Sequence, residues 1–566
     1  MNWDKNLRGF ATICILCIIS SCSVDQITKS ESRLRIQVNS EIDILNPALS
    51  RLSVSTFVEG QMALPIAKWD EKSQDWVPVL VQNYEPRITG DGVQYPLCLR
   101  PEARWSDGTP ITIQDLEYTI KMGLNPYLSH QSWAAYLSLI TRLTPSHDTM
   151  LVTLETPYIL ADEFIAGLSP YPAHILDSSD LLKNIPFDHF LNGNFSPEED
   201  ERLKELAEAF NTWGSPREWP DPVSGMYRLT NWNPGQEITL SRTPNFWGQE
   251  VNGISSFFTT DIDTLQFVII PDPQNALHAF TSGAVDILST VDEADTTLLS
   301  RFSGRVHEVP TLQLFYISVN NTHPVLSRTE IRRALHYAIN RQDLVDRLFS
   351  GRGSPAYGPI HPSKPYYDGH PVPYNPEIAR QILDSIGCAD NDGDGILECP
   401  TPDGRAPLSF QIWTTRSQLS RNVATMLKGY WNSIGVELTI QSSDFRTFLP
   451  ELQNKTYDFA ALALRQNNLL DDPYPLWHSS QSDASGKNYQ GLASDSIDVV
   501  LEQLRGALQP EKQFQYYEKF QEYFAEQVPV LFLVAPEEVV VVRDGIDLYW
   551  SPRRPGFDLL RSSLSQ

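Results

Sequence analysis

After residue 22 the chain has no apolar run of transmembrane length, which excludes a spanning helix from its body. It is also short of positive charge: 44 Lys and Arg against 70 Asp and Glu give a formal net charge of −26. Nothing neutralises phosphates and no Lys/Arg stripe is present, so nucleic acid is excluded as a partner. Catalytic signatures are missing as well. There is no Gly-x-Ser-x-Gly, His-Glu-x-x-His or phosphate loop, and the eleven histidines are scattered, so an enzyme is not expected. Cysteine is sparse at six in 566 residues, which leaves room for a local staple at most.

What is there begins at the N-terminus. Lys5 and Arg8 precede the apolar stretch Gly9 to Ile19, and Ile19-Ser20-Ser21-Cys22 closes it. That order of charged, apolar and small residues predicts a lipoprotein signal peptide over 1–21. Cys22 is then the first mature residue, alkylated by diacylglycerol, and 22–31 is a tether. An ordinary secretory signal, or an uncleaved anchor with a coincidental cysteine, is the alternative. Ser23 in place of an aspartate gives a slight lean toward the outer membrane if the cell has two. Cys14 and Cys17 leave with the signal, so Cys22, Cys98, Cys388 and Cys399 remain. Cys388 and Cys399 bracket a turn-rich loop where an oxidising compartment permits a disulfide. Cys98, within Tyr95-Pro96-Leu97-Cys98-Leu99, reads as a small buried hydrophobe.

The body is long enough for two or more domains. Leu34, Ile36 and Val38 alternate with Arg33, Arg35 and Gln37, a strand with one buried face. Thr112 is placed to cap a helix from Ile113 to Met122. Leu408 to Thr414, Asn422 to Ile434 and Val436 to Gln441 read as strand, helix and strand. Such alternation in both halves implies mixed α/β domains with crossover units.

Several segments resemble, in order, the family 5 extracellular solute-binding proteins, the dipeptide- and oligopeptide-binding lipoproteins of ABC importers. LRPEARWSDGTPITIQDLEYTIK (Leu99 to Lys121) is similar to the family's hallmark segment. SGMYRLTNWNPGQEITLSRTPNFWG (Ser224 to Gly248) resembles its hairpin with a closing aromatic-Trp-Gly. LQFVIIPDPQNALHAFTSGAVDI (Leu265 to Ile287) and the stretch Phe315 to Gly351 continue the pattern. In the latter, Ile331, Ala334, Leu335, Ala338 and Ile339 share one helical face, with Arg332 and Arg333 on the other. YDFAALALRQNNLLDDPYPLW, KNYQGLASDSIDVVLEQL and YYEKFQEYFAEQVPVLFLV complete the likeness, which spans nearly the whole mature chain.

The resemblance implies an α/β fold, two-lobed and periplasmic-binding-protein-like (type II), with mixed sheets in each lobe, an extra subdomain and the ligand cleft between lobes. The expected boundaries are lobe I over 32–70, the inserted subdomain over 71–220, lobe I again over 221–309, lobe II over 310–530, and a return to lobe I over 531–566. The chain would cross between lobes near Pro310 and Val530. Pro186 to Pro222, with a helix-like stretch from Pro197 to Phe210, reads as an elaborated loop of the insert. The implied protein is a monomeric receptor in the bacterial cell envelope, extracytoplasmic and lipid-anchored. It would pass its ligand, an oligopeptide first of all, to an ABC permease and ATPase. The alternatives are a nickel chelate, sugar or other solute on the same fold, or a sensor or adhesin without a transporter.

In peptide-binding relatives an aspartate in the loop before Asp-Pro pairs with the ligand's ammonium group. Here that loop runs Arg465-Gln466-Asn467-Asn468-Leu469-Leu470-Asp471-Asp472-Pro473, about two residues longer, with Asn468 or Leu469 where the acid should stand. Leu464 occupies the place of a common tryptophan. Asn467 and Asn468 can accept a weaker amide role, Asp471 can substitute if the loop re-aims it, and Arg465 can receive a carboxylate or phosphate. Trp413, Arg416, Tyr316 and Asn320 are further ligand-binding candidates. His361 and His370 suggest a nickel-binding branch, against exposed loop residues. No cofactor is expected beyond a structural calcium. Asp390, Asp392 and Asp394 begin a calcium-loop spacing, but Thr401 stands where the bidentate glutamate belongs, leaving Glu398 or Asp403 to serve; a solvated acidic turn is the competing reading.

Overall fold

The computed structural model describes residues 32–565 except 91, 131–132, 250, 252, 290–303, 403 and 484. The signal segment, the tether with Cys22, and Asp403 therefore lie outside the described residues. Among those described, no helix is long and apolar enough to cross a membrane.

One twelve-stranded sheet runs through the molecule. Its first half is built on the parallel pair Arg33–Val38 and Thr264–Ile269, extended by the antiparallel strands Glu237–Arg242 and Tyr227–Asn233. Its second half sets Gln313–Val319 antiparallel to Phe459–Arg465, with the parallel pair Ser409–Thr414 and Glu437–Ser442 beyond. The strand Val530–Arg543 belongs to both. Val530 to Val534 pairs with Gln313–Val319, whereas Glu537 to Arg543 pairs with Gly304–Pro310.

The two halves are thus joined by a two-stranded ribbon that breaks once on each side. Leu312 sits in left-handed backbone at φ 52°, unusual for a branched residue, between the strands ending at Pro310 and starting at Gln313. Opposite it, Pro536 has no N–H to donate, and its carbonyl accepts the Thr311 hydroxyl at 2.8 Å. The first break lies between the strands ending at Pro310 and starting at Gln313. The second lies at Pro536, six residues beyond Val530, because Leu531, Leu533 and Val534 pack in the second-lobe core.

The cores follow this division. Leu34, Ile36, Leu265 and Phe267 form one cluster with Val93, Tyr95, Val152 and the C-terminal Leu559 and Leu560. The small sheet of the 71–220 segment therefore packs continuously with the first lobe rather than as a separate body. The helix Pro197–Thr212 has Pro at its first turn and a Ser196/Glu199 capping box; Leu203, Leu206 and Phe210 pack with Tyr118 and Tyr171. The helix-like stretch expected from Pro197 to Phe210 is thus a helix from Pro197 to Thr212, preceded by the short helix Phe187–Asn192 and followed by irregular backbone to Pro222.

Local expectations hold where one element decides them. Thr112 and Asp115 form a capping box on the helix Ile113–Gly123. Two differ. Cys98 is half-exposed and unbonded, because strand alternation buries Tyr95 and Leu97 and turns Cys98 to the other face. Arg332 is buried at 5% exposure, not solvated. Its guanidinium donates to the carbonyls of Val528 and Gln527 at the C-terminal end of the helix Pro510–Gln527, where orphan carbonyls and the helix dipole favour a cation.

Candidate functional site

Where the lobes meet, a cavity of about 240 Å³ opens between Trp133, Tyr136, Leu160, Glu163, Phe164, Gly167 and Leu168 of the first lobe and Asn468 of the second. The short helix Ala134–Leu137 carries Tyr136, and the helix Ala161–Gly167 carries Glu163 and Phe164. Tyr136 stacks on Phe164 with ring centroids 5.2 Å apart, which fixes the aromatic wall. Neighbouring acids on the second helix part company. Asp162 turns into the first lobe and accepts the Tyr95 hydroxyl, while Glu163 faces the second lobe.

The seam around the cavity is made by backbone and side chain together. Ile159 N donates to Arg505 O at 2.8 Å, and Leu469 N donates to Glu163 Oε2 at 2.7 Å. The Tyr158 hydroxyl donates to Asp472 Oδ2 at 3.0 Å, the same oxygen that accepts from Arg505 Nε at 3.0 Å. Arg505 lies over the Tyr474 ring at 4.3 Å. Ile159 and Leu160, though first-lobe residues, are buried in the second-lobe cluster that holds Trp477, Leu501 and Phe520. These contacts close the lobes on one another.

Burial holds the Glu163 carboxyl above the ordinary glutamate range, opposed by Arg553, the Leu469 N–H and Lys364. Glu163 Oε1 forms an ion pair with Arg553 Nη2 at 3.6 Å, longer than a hydrogen bond.

The sequence candidates scatter over this frame. Asn468 lines the cavity, and Asn467 beside it is exposed. Asp471 is buried and accepts the Tyr366 hydroxyl at 2.7 Å, with Lys364 Nζ 3.6 Å away; the longer loop has turned it into the lobe instead of the cleft. Arg465 is exposed beside the crossing, opposite Gln313, while Leu464 of the same strand packs on the cluster containing Leu160. Tyr316 is packed with Trp477 and Phe532, at 6.2 and 5.5 Å. The Asn320 amide donates to the carbonyls of Lys455 and Tyr457, both at 2.8 Å. Trp413 stacks on Phe448, and the exposed Arg416 pairs with Asp444 at 3.4 Å. The structure does not bring these four into the cavity.

His361 is not an exposed loop residue: it is 3% exposed, and burial lowers its imidazole to about 4. Cys388 and Cys399 are disulfide-bonded. Among the described residues, Asp390, Asp392 and Glu398 could gather around a cation. Their oxygens meanwhile accept loop amides: Gly393 and Gly395 donate to Asp390, and Asn391 donates to Glu398. Asp394, expected with them, stands outside that group and accepts Ile396 N at 2.8 Å.

Sequence reasoning missed the first-lobe wall. Its one visible signal was two short aromatic segments, Trp133 to Tyr136 and Tyr158 to Phe164, with no periodicity to join them. The hallmark segment does something else. Ser106 exchanges hydrogen bonds with the backbone of Val223, 2.8 Å from its own N–H and 3.0 Å to its hydroxyl, and so ties the first lobe internally.

An open cavity where two lobes joined by a two-stranded ribbon meet is the arrangement of a two-lobed binding protein. The chain belongs to the bacterial extracellular solute-binding proteins, family 5, whose middle-region model matches residues 75–487. It is 22% identical over 528 residues to the oligopeptide-binding protein AppA of Bacillus subtilis, spanning 92% of this chain and 89% of that protein. It is 23% identical over 428 residues to the periplasmic oligopeptide-binding protein OppA of Escherichia coli, spanning 72% and 70%. The solved structure of AppA from Bacillus subtilis with a nonapeptide matches with a TM-score of 0.69 at 21% identity, covering 95% of this chain and 100% of that one. A periplasmic EDTA-binding protein, EppA, matches with a TM-score of 0.74 at 17% identity, covering 95% and 97%. At these identities the structural likeness shows the fold.

Proposed function

We propose that the protein captures a peptide between its lobes and delivers it to an ABC permease, without covalent chemistry. The observation that carries this reading is the cavity itself, open to the surface and lined by first-lobe aromatics and by Asn468 of the second-lobe loop. Hinge motion at Leu312 and Pro536 would open it, and a ligand touching both lobes would favour the closed state by its differential contacts. The relatives AppA and OppA, described as oligopeptide-binding, support the choice of ligand. An anionic metal chelate is a poorer fit, since among the described residues the cavity is lined by a carboxylate and by no cation, the nearby Arg553 being paired with that carboxylate.

The same proposal places the mature protein outside the cytoplasm, held by lipid on Cys22. The acidic loop at Asp390 is assigned no part in capture. Native mass spectrometry of the purified mature protein tests the reading: a co-purified mixture of peptides is expected, and a bound chelate or sugar would overturn it.

A further inference from the structure

We propose that Glu163, on the first-lobe helix Ala161–Gly167, is the anionic subsite for the ligand's ammonium group, supplied from the lobe opposite the loop 465–473. The inference rests on the peptide reading above. Three observations converge on it.

Among the described residues, Glu163 is the one charged residue lining the cavity, which is otherwise aromatic, aliphatic, glycine and the amide of Asn468. The acids of the second-lobe loop are already engaged. Asp471 is enclosed by Tyr366 and Lys364, and Asp472 accepts from Tyr158, Arg505 and the backbone N–H of Tyr474. Finally, Glu163 keeps acceptor capacity beyond its present partners. A carboxylate offers about four acceptor positions; here Oε2 takes one backbone N–H, and Oε1 is held only in a long ion pair with Arg553 Nη2 at 3.6 Å.

An ammonium entering beside this group gains a charge-assisted bond in a partly desolvated setting and a flanking ring wall of Trp133, Tyr136 and Phe164. Because Glu163 also receives Leu469 N from the other lobe, the same carboxylate holds the ligand and the seam. The cation therefore matters most in the closed state.

The test is a native mass-spectrometric competition. A pool of random tri- to pentapeptides with free N-termini is mixed in equal amount with the same pool N-acetylated, and the ratio bound is read for the wild type and for Glu163→Gln. The wild type is expected to favour free N-termini by about 10- to 100-fold, and Glu163→Gln to bring the ratio within about threefold of unity. If Glu163 served only as a seam residue, the variant would weaken both pools and leave the ratio unchanged, which would overturn the subsite. Equal binding of both pools by the wild type would also overturn it and leave the peptide reading standing. Failure of both pools to bind the wild type would bring down the subsite and the peptide reading together. Glu163→Asp, which keeps the charge, is expected to retain part of the preference and separates loss of charge from loss of fold.

Discussion

Ile159 offers the sharpest probe of whether lobe closure and ligand capture are one equilibrium. It belongs by sequence to the first lobe but is 5% exposed within a second-lobe cluster, and it does not line the cavity. Truncation to alanine therefore removes apolar contact that exists only when the lobes are together. Burial of an isoleucine side chain contributes about 1.5–3 kcal/mol, and a share of about 2 kcal/mol would be lost from the closed state alone. At 1.4 kcal/mol per tenfold, closure would weaken by about 30-fold. Apparent affinity falls with the fraction of competent protein, so the dissociation constant should rise by a factor that approaches about 30 where the closed state is minor before ligand binds and shrinks as that state becomes dominant. Small-angle scattering of Ile159→Ala should show a larger radius of gyration without ligand, and titration should show the weaker affinity. The unfolding temperature should hardly move, since neither lobe loses its own core. A variant with unchanged affinity and an unfolding temperature several degrees lower would refute the reasoning. It would mean that Ile159 supports the second lobe's fold instead of the joint.

Other outcomes follow from single groups. Arg332→Ala, which strips the buried guanidinium from the carbonyls of Val528 and Gln527, should cost about 2–4 kcal/mol in denaturant unfolding. Arg333→Ala, at an exposed neighbour, should stay within about 0.5 kcal/mol. Glu59 is buried, with its carboxyl pushed up to about 8 chiefly by desolvation, so the folded state binds a proton that the unfolded state releases above about 4.5. Stability should therefore fall as pH rises from about 4.5 to about 8. Glu59→Gln should be more stable than the wild type at pH 8.5 by a few kcal/mol and similar to it at pH 4.5; equal pH profiles by thermal unfolding would count against this. Cys22→Ser should release soluble protein that still binds ligand, and persistence in the membrane fraction would refute lipidation at that residue.

The parts of the fold that could be read in advance are those fixed within one element. Thr112 and Asp115 stand three residues apart, and a capping box needs nothing else. The alternation in Arg33–Val38 likewise declares its own buried face. Arg332 was misread because a helical wheel reports the face of its own helix and is blind to another helix ending against it. The second crossing was displaced because Val530–Arg543 is apolar through both lobes, and only Pro536 marks the change of partner. The cavity wall was hidden for a related reason. Tyr136, Glu163 and Asn468 come from three segments with no common period, and the loop that suggested a ligand acid turned Asp471 inward through Tyr366 and Tyr517.

The strand Val530–Arg543 has a consequence for biosynthesis. It lies in the interior of the sheet in both lobes, yet it is made after every other strand of that sheet. While the ribosome is still upstream of it, Gln313–Val319 lacks one neighbour and Gly304–Pro310 lacks its partner altogether. Neither half can be completed from local pairing alone, so the nascent chain is kept from locking prematurely. If the chain is exported as proposed, the late arrival of this central strand would serve as a built-in delay to folding before translocation.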